Sequence, residues 1–547
     1  MGKKGIVGII IGVVAIIGVI ITISMVSRSN GDNPPYESYE SSQSNVQEEI
    51  KQGTTVEVNQ MFSDNLVGGS GEDWFNFTIE KDGYININFT HAIIDNDRII
   101  WKIYLYEGES VTCYGGESFY WGVRGKETNY TTCNMGVAAG TYNVKVTSGE
   151  KSSDVQYSIT INYTEADNWE TEINSTKEKA NELILNEAKY GTSICYEDKD
   201  WYKVEIPKAG YISITFEHPK LTDDRSNWKM ELYESDGITY YGEKEFSWYI
   251  YGQDNLTTAN MGVSAGIYYV FVNGRGTGSW TDKDYSVTVN FTEADNWETE
   301  ANSTIETASN LPVNTQTCGT IFDKNDEDWY KIEITRAGYI TIGFEHPVLT
   351  SSSYCWDMRL YMSDGITQYS GKGFKWSFEG NSAGETSSKM GIGEGTYYLK
   401  ITGSSSYSTE DYKILINHTI NQDWEIENNG SASTATAINT GVQTSGSIVI
   451  TGDQDWYRIS GSGYSNYTFD FYHNKIDTSS VCWKVTVYAS DGTTVITTID
   501  IRGNDSSVSK SFSASGTFYI RVTEGSYNIW KGGYNNSDIV YSFAIWG

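Results

Sequence analysis

Three times along this chain a Glu-x-Glu step is followed two residues on by Asn: Glu170, Glu172 and Asn174; Glu298, Glu300 and Asn302; Glu425, Glu427 and Asn429. Each is followed by an acidic loop that ends at a recurring Asp: Glu197, Asp198 and Asp200; Asp323, Asn325, Asp326 and Asp328; Asp453 and Asp455. Carboxylates and amide carbonyls are hard oxygen donors, and calcium takes roughly six to eight of them. Crowded carboxylates also repel one another, and a divalent cation relieves that repulsion. The two segments together therefore form a candidate Ca2+ site. Its ligands are Glu170, Glu172, Asn174, Glu197 and Asp200, then Glu298, Glu300, Asn302, Asn325 and Asp328, then Glu425, Glu427, Asn429 and Asp455. The competing reading is a solvated acidic linker, common in a chain of net charge −32. Gly452 stands where the other two loops have Glu197 and Asn325, so the last site is expected to be weaker.

The candidate ligands keep time with a repeat that fills the chain. An Asp-Trp-aromatic step recurs at Trp74, Trp201, Trp329 and Trp456, at spacings of 127, 128 and 127. A second tryptophan (Trp101, Trp228, Trp356, Trp483) and a histidine (His91, His218, His346, His473) follow the same beat. So does a Gly-x-aromatic step at Gly140, Gly266, Gly395 and Gly516. The period is far longer than that of a solenoid, and each unit is large enough to own a core. The units are 51–163, 164–291, 292–419 and 420–547. The first has no Glu-x-Glu, and no site of this kind is expected in it.

Within a unit the apolar residues alternate, as in Ile212, Ile214, Phe216 and His218, or Tyr285, Val287, Val289 and Phe291. Period two over short runs, broken by Gly-containing turns, predicts half-buried strands. Seven or eight of them per unit, with no helical pattern, predict an all-β fold: four tandem antiparallel, jelly-roll-like β-sandwiches.

The order of motifs resembles the bacterial pre-peptidase C-terminal domain family. In the third unit it reads Asp328-Trp329-Tyr330, Gly338-Tyr339-Ile340-Thr341-Ile342, Leu360-Tyr361, Gly395-Thr396-Tyr397-Tyr398 and Tyr412-Lys413-Ile414-Leu415-Ile416. The resemblance covers essentially all of 51–547 and is weakest in the first unit. It implies non-catalytic β-sandwiches of the kind appended to secreted peptidases. It is similar to the collagen-binding domains of clostridial collagenases, which bind collagen and calcium. Those relatives place calcium between the same two segments, which implies the same ligand set here.

Residues 6–26 form an apolar run long enough for one N-terminal transmembrane helix, and Lys3 and Lys4 precede it. The expected layout is a cytoplasmic tip and anchor over 1–27 and a flexible linker over 28–50, with the domains extracellular on a cell membrane. A cleaved signal peptide is the rival, but the run is long and Ile-Ser-Met-Val-Ser-Arg is a poor cleavage site. The fourth unit is expected to be complete, with no C-terminal sorting tail.

No catalytic motif appears: there is no His-Glu-x-x-His, Gly-x-Ser-x-Gly or phosphate loop. The acidic charge argues against a nucleic-acid partner. The repeated histidines read as strand-end hydrogen-bond donors rather than metal ligands. Cys355 and Cys482 precede the core Trp and read as small buried groups, while a Cys113–Cys133 bridge stays open. Strand phase puts Trp74, Trp201, Trp329 and Trp456 on an outer face, either as a platform for glycan or peptide or as architectural packing. The function expected is a cell-surface adhesin or ligand-binding module, with an extracellular glycan or protein ligand. The alternatives are a structural spacer of the cell surface and an accessory subunit of an envelope peptidase.

Overall fold

The alternation seen in the sequence becomes paired sheets. The computed structural model describes residues 53–547, apart from 67–70, 111, 115–118, 196, 223–224, 244, 276–279, 370–374, 383, 451 and 528–539. The expected membrane helix over 6–26 and the linker over 28–50 lie outside the described residues. Among the described residues no helix is long and apolar enough to cross a membrane.

The second unit shows the plan. One sheet runs in the order Asn181–Leu183, Lys199–Ile206, Gly266–Gly274, Ser226–Tyr233, Trp248–Tyr251. The other runs Lys189–Thr192, Asp284–Glu293, Gly210–Glu217, and the last of these also pairs with Leu256–Thr257 and Met261–Val263. The first three units each have two five-stranded sheets; the fourth has a five- and a four-stranded sheet. The sandwich is therefore richer in strands than the seven or eight expected. It is also not wholly antiparallel. Asn181–Leu183 pairs parallel to Lys199–Ile206, and the same short parallel edge recurs in every unit. These edge strands are two or three residues long, too short for periodicity to reveal.

Inward residues of both sheets meet in one core per unit. Ile212, Ile214, Phe216, Trp228, Met230, Val270 and Val287 share that of the second. The histidines end core strands: His91, His218, His346 and His473 lie 4.3–4.6 Å from the core Trp. The rings of His91 and His218 engage backbone carbonyls through both nitrogens. All six cysteines are present as thiols, and Cys355 and Cys482 are buried beside the core Trp.

Consecutive units share core. Ile194, from the acidic loop of the second unit, lies in the core of the first. Phe322 of the third lies in the core of the second, 5.4 Å from Tyr241 and 6.0 Å from Phe246. Val449 of the fourth lies in the core of the third. On the same junctions Trp169 lies against Tyr84 at 4.3 Å, Trp297 against Tyr211 at 4.2 Å and Trp424 against Tyr339 at 4.5 Å, the rings tilted by 33–43°. A Cβ at Gly136, Gly262 or Gly391 would sit 2.0–2.3 Å from the carbonyl oxygen of Glu170, Glu298 or Glu425, so the close approach demands glycine.

The plug residues give a test. Truncating a buried Phe costs about 3–5 kcal/mol. Phe322→Ala is expected to lower the calorimetric transition of the second unit, although the residue belongs to the third. A second-unit transition that stays in place would contradict the shared core.

Candidate metal centres

The two acidic segments of each later unit converge. Glu170, Glu172 and Asp200 bring carboxylate oxygens within 4.8 Å of one another, as do Glu298, Glu300 and Asp328, and Glu425, Glu427 and Asp455. All nine side chains are buried. The reason is local. The Glu-x-Glu segment lies between two units, with its first Glu backbone bonded to the edge strand behind it (Glu170 N to Tyr190 O, 2.8 Å). The Asp opens the strand Lys199–Ile206, where strand phase turns it inward beside the core tyrosines.

Those tyrosines bind the cluster to the fold. Tyr202 donates to Glu170 Oε2 at 2.6 Å, and Tyr285 donates to Asp200 Oδ2 at 2.6 Å; the two hydroxyls lie 2.8 Å apart. Thr192 N donates to Glu170 Oε1 at 2.7 Å. The third unit repeats this with Tyr330, Tyr412 and Thr320. The fourth repeats it with Tyr457, Tyr541 and Ser447.

Other oxygens in the cluster are left without a partner. Asn174 Nδ2 donates to Glu170 Oε2 at 3.2 Å, yet Asn174 Oδ1, Glu172 Oε1 and Asp200 Oδ1 are buried and accept nothing. Asn302 Oδ1 and Asp328 Oδ1 repeat the pattern in the third unit; Asn429 Oδ1, Glu427 Oε1 and Asp455 Oδ1 repeat it in the fourth. Buried acceptors without donors are costly. An all-oxygen set of this kind fits a hard divalent cation, so the residues present can hold a metal ion.

Two expected ligands fall elsewhere. Glu197 and Asn325 are exposed, outside the clusters. The residue that turns inward is the next one: Asp198, Asp326 and Asp453 are buried. Asp198 accepts from Ile194 N at 2.8 Å and from Lys199 N at 3.0 Å. Asp326 holds Phe322 N and Glu327 N; Asp453 holds Val449 N and Gln454 N. These aspartates staple the loop whose tip plugs the preceding core. The position of Glu197, Asn325 and Gly452 is thus a solvent-side loop position. Gly452 takes nothing from the fourth cluster, and the expectation of a weaker fourth site loses its basis.

At the first of these junctions the cluster borders a cleft of about 220 Å³, lined by Cys113, Tyr114, Glu172, Glu197 and Asp198 among others. In the first unit Asp73 accepts from Tyr157 at 2.5 Å, but Phe75 stands where Tyr202 stands in the second. Among the described residues no carboxylate group gathers around Asp73. The signal was in the sequence: Asp-Trp-Tyr marks the units with a cluster and Asp-Trp-Phe the one without.

Burial raises these acids. Glu170 and Glu425 are pushed up to about 8 and Glu298 to about 7, chiefly by loss of solvent. Glu172 is raised as well, from burial and then from the charges of Asp198 and Glu170. Asp200 rises from burial and the charges of Glu170, Asp198 and Glu172. Stapled Asp198 reaches only about 6, because two backbone N–H groups favour its ionised form.

No family model matches the chain, and no curated protein does. Among solved structures, it is similar to the pre-peptidase C-terminal domain of a collagenase from Bacillus anthracis. That match has 15% identity, covers 20% of this chain and 96% of that one, and has a TM-score of 0.17. It is also similar to a Clostridium perfringens structure holding an M60 catalytic domain with two CBM51 domains (11% identity, 88% of this chain, 54% of that one, TM-score 0.16). A tandem CBM22 structure from Paenibacillus barcinonensis matches at 9% identity over 39% of this chain and 81% of that one, with a TM-score of 0.14.

The raised acids set a pH dependence for the metal-free protein. Their folded values exceed the unfolded ones, so the folded state holds more protons between about pH 4 and 8. The stabilisation is complete below the unfolded values and is lost as pH rises through about 7 to 8. In chelator, the melting temperature is expected to fall from pH 5 to pH 8. A melting temperature that climbs over this range would contradict the burial of the three clusters.

Proposed function

We propose that this chain is a non-catalytic, membrane-anchored cell-surface protein whose four β-sandwiches act as an adhesin or ligand-binding module, with Ca2+ bound at three junctions. The observation that carries the reading is the placement of the orphaned carboxylate and amide oxygens where one unit meets the next. Glu170, Glu172, Asn174 and Asp200, with their counterparts in the third and fourth units, would hold the ion. Calcium would neutralise the buried charge and satisfy oxygens that accept no hydrogen bond. The staple Asp links each site to its plug residue, so the ion would tighten the junction as well as the loop. The anchor over 6–26 would place the array outside the cell.

A structural spacer is the second reading, favoured by the sameness of the junctions. Trp–Tyr contact, close glycine and plug residue recur at all three. A glycan and matrix-protein array separates the two: specific capture of the chain supports the module, and an empty array leaves the spacer.

Calcium binding has its own measurement. A ligand that binds only the folded state at about 100 times its Kd adds about 2.7 kcal/mol. Titration calorimetry is expected to show three calcium ions per chain and a melting temperature that rises with calcium. Asp455→Asn should reduce the stoichiometry to two. No heat and no shift at millimolar calcium would end the calcium reading.

A further inference from the structure

An Asn with Ser or Thr two residues on is an acceptor step for N-linked sugar, provided its amide nitrogen reaches solvent. In a strand, residues two apart share a face, so the amide and the hydroxyl stand together. Such steps among the described residues sort by where Nδ2 goes. Asn174, Asn302 and Asn429 are buried and donate to Glu170, Glu298 and Glu425 at 3.2, 3.2 and 3.5 Å. Asn88, Asn162 and Asn290 are half-buried and donate to Asn129 Oδ1 at 2.7 Å, Asn86 Oδ1 at 2.8 Å and Thr215 Oγ1 at 3.0 Å. Asn76 is half-buried and paired with Thr55 of an edge strand. Asn129, Asn255, Asn417, Asn466 and Asn504 are exposed. Asn129, Asn255 and Asn466 are held through Oδ1, which accepts from Asn88 Nδ2 at 2.7 Å, His218 N at 3.1 Å and Ser513 Oγ at 2.6 Å. Asn417 Nδ2 reaches Thr341 Oγ1 only at 3.4 Å, long for a hydrogen bond.

The five exposed acceptors keep to one sheet of the sandwich. Asn129, Asn255, Asn417 and Asn466 lie on or beside the strands Asn129–Thr131, Leu256–Thr257, Tyr412–Ile420 and Tyr464–His473, each in the sheet opposite the outer tryptophan. Asn504 lies in the turn that leads into Ser507–Ser515 of that sheet in the fourth unit. The tryptophan sheet is closed in another way. Lys145 with Glu72 lids Trp74 and Lys400 with Glu327 lids Trp329, while Phe271 and Lys199 take those places beside Trp201. The acceptor position moves between units although the sheet does not. Asn129 and Asn255 are counterparts, and the third unit has Gly384 in their place. Its acceptor is Asn417, the counterpart of Asn290, and Gly343 stands where Thr215 takes Asn290 Nδ2. A residue kept for packing would hold its position; here what is kept is an exposed acceptor in every unit.

We propose that Asn129, Asn255, Asn417, Asn466 and Asn504 carry N-linked oligosaccharides on the sheet opposite the tryptophan sheet. The proposal rests on the extracellular placement read above and adds a modification to it. The donor is a polyprenyl-phosphate-linked oligosaccharide. Nδ2 forms a bond to C1 of the first sugar and loses one proton, and the C1–O bond breaks with the lipid phosphate leaving on the electron pair. The product is a secondary amide that keeps Oδ1, so the bonds from Asn88, His218 and Ser513 survive the modification. The buried steps are excluded by space, because a sugar on Asn174, Asn302 or Asn429 would occupy the acidic cluster. A bulky hydrated chain on each exposed Asn covers one sheet of every unit and leaves the tryptophan sheet bare.

The test labels intact cells of the source organism with a membrane-impermeant amine reagent and then isolates the full chain from their membranes. Intact mass is expected to exceed the 61.2 kDa of the sequence. Peptide mapping is expected to find sugar on the five exposed Asn and none on Asn174, Asn302 or Asn429. Thr419→Ala keeps Asn417 but removes the hydroxyl of its step, and it is expected to lose that one glycan; Thr419→Ser is expected to retain it. Thr419 is exposed, so neither variant disturbs the core. A surface-labelled chain with no sugar at these positions would overturn the proposal and leave the cell-surface reading intact. An unlabelled chain with no sugar would overturn both. Sugar on Asn174, or an undiminished glycan at Asn417 in Thr419→Ala, would overturn the assignment of the acceptors.

Discussion

The molecule is organised around buried negative charge. At separations up to 4.8 Å, each ionised pair in a cluster repels by about 3 kcal/mol or more at an effective dielectric of about 20. Three such groups cannot all stay ionised and dry without compensation. The fold supplies part of it, through tyrosine hydroxyls and backbone N–H groups aimed at Glu170, Glu298, Glu425 and the recurring Asp. Asp200, Asp328 and Asp455 Oδ1, and Asn174, Asn302 and Asn429 Oδ1, are buried with nothing to accept from. Protons or a cation must finish the neutralisation, and the all-oxygen donor set favours a hard cation at neutral pH.

That charge is tied mechanically to the junctions. Asp198, Asp326 and Asp453 each grip the backbone N–H of the residue that enters the preceding core. The same aspartates add to the field felt by Glu172 and Glu427. Loop, cluster and neighbouring core therefore form one cooperative element. The polar side is not identical throughout. Asp284 receives Asn134 at 2.8 Å and Thr192 at 3.0 Å, and Asp411 receives Asn260 and Thr320 in the same way. At the last junction Lys389 replaces the Asn and lies 4.8 Å from the Tyr339 ring, while Ser447 bonds its carbonyl. The fourth unit differs again at its far end. Ser507–Ser515 pairs with Tyr464–Tyr472 without a break, and Asn466 and Ser513 stand where the second unit has Tyr211 and Gly262.

Much of this was legible in the sequence because it repeats with a fixed beat. Period-two apolar runs exposed the strands, and the Asp-Trp step exposed the units. The convergence of Glu170, Glu172 and Asp200 followed from acid-rich segments that a metal would unite. What stayed hidden depended on direction. Glu197 and Asp198 are both acids in one loop, and only the backbone decides which turns inward. Ile194, Phe322 and Val449 are ordinary apolar residues, and nothing local says that they enter another unit's core. The tyrosine hydroxyls were overlooked because an aromatic in a strand reads first as core packing. The short parallel edge strands lacked the length for any pattern.

Repetition also separates architecture from recognition. A residue kept in all four units serves what the units share, namely core, junction and charge balance. The outer tryptophan belongs there: lidded by Lys145, Lys400 or Arg521, it packs on a tyrosine and closes the face. A ligand has no need of four copies, so a specific surface arises more readily where one unit departs from the rest. Exchange of the Glu–Lys pair for Lys199 and Phe271 changes no inward residue of the second unit, because both lie on the outer side of the sheet. It opens the ring and moves a positive charge to its border while the core stays as it was. Surface chemistry and core are decoupled in the sandwich, because the two-residue alternation of the strands puts both exchanged positions on the face away from the inward side chains.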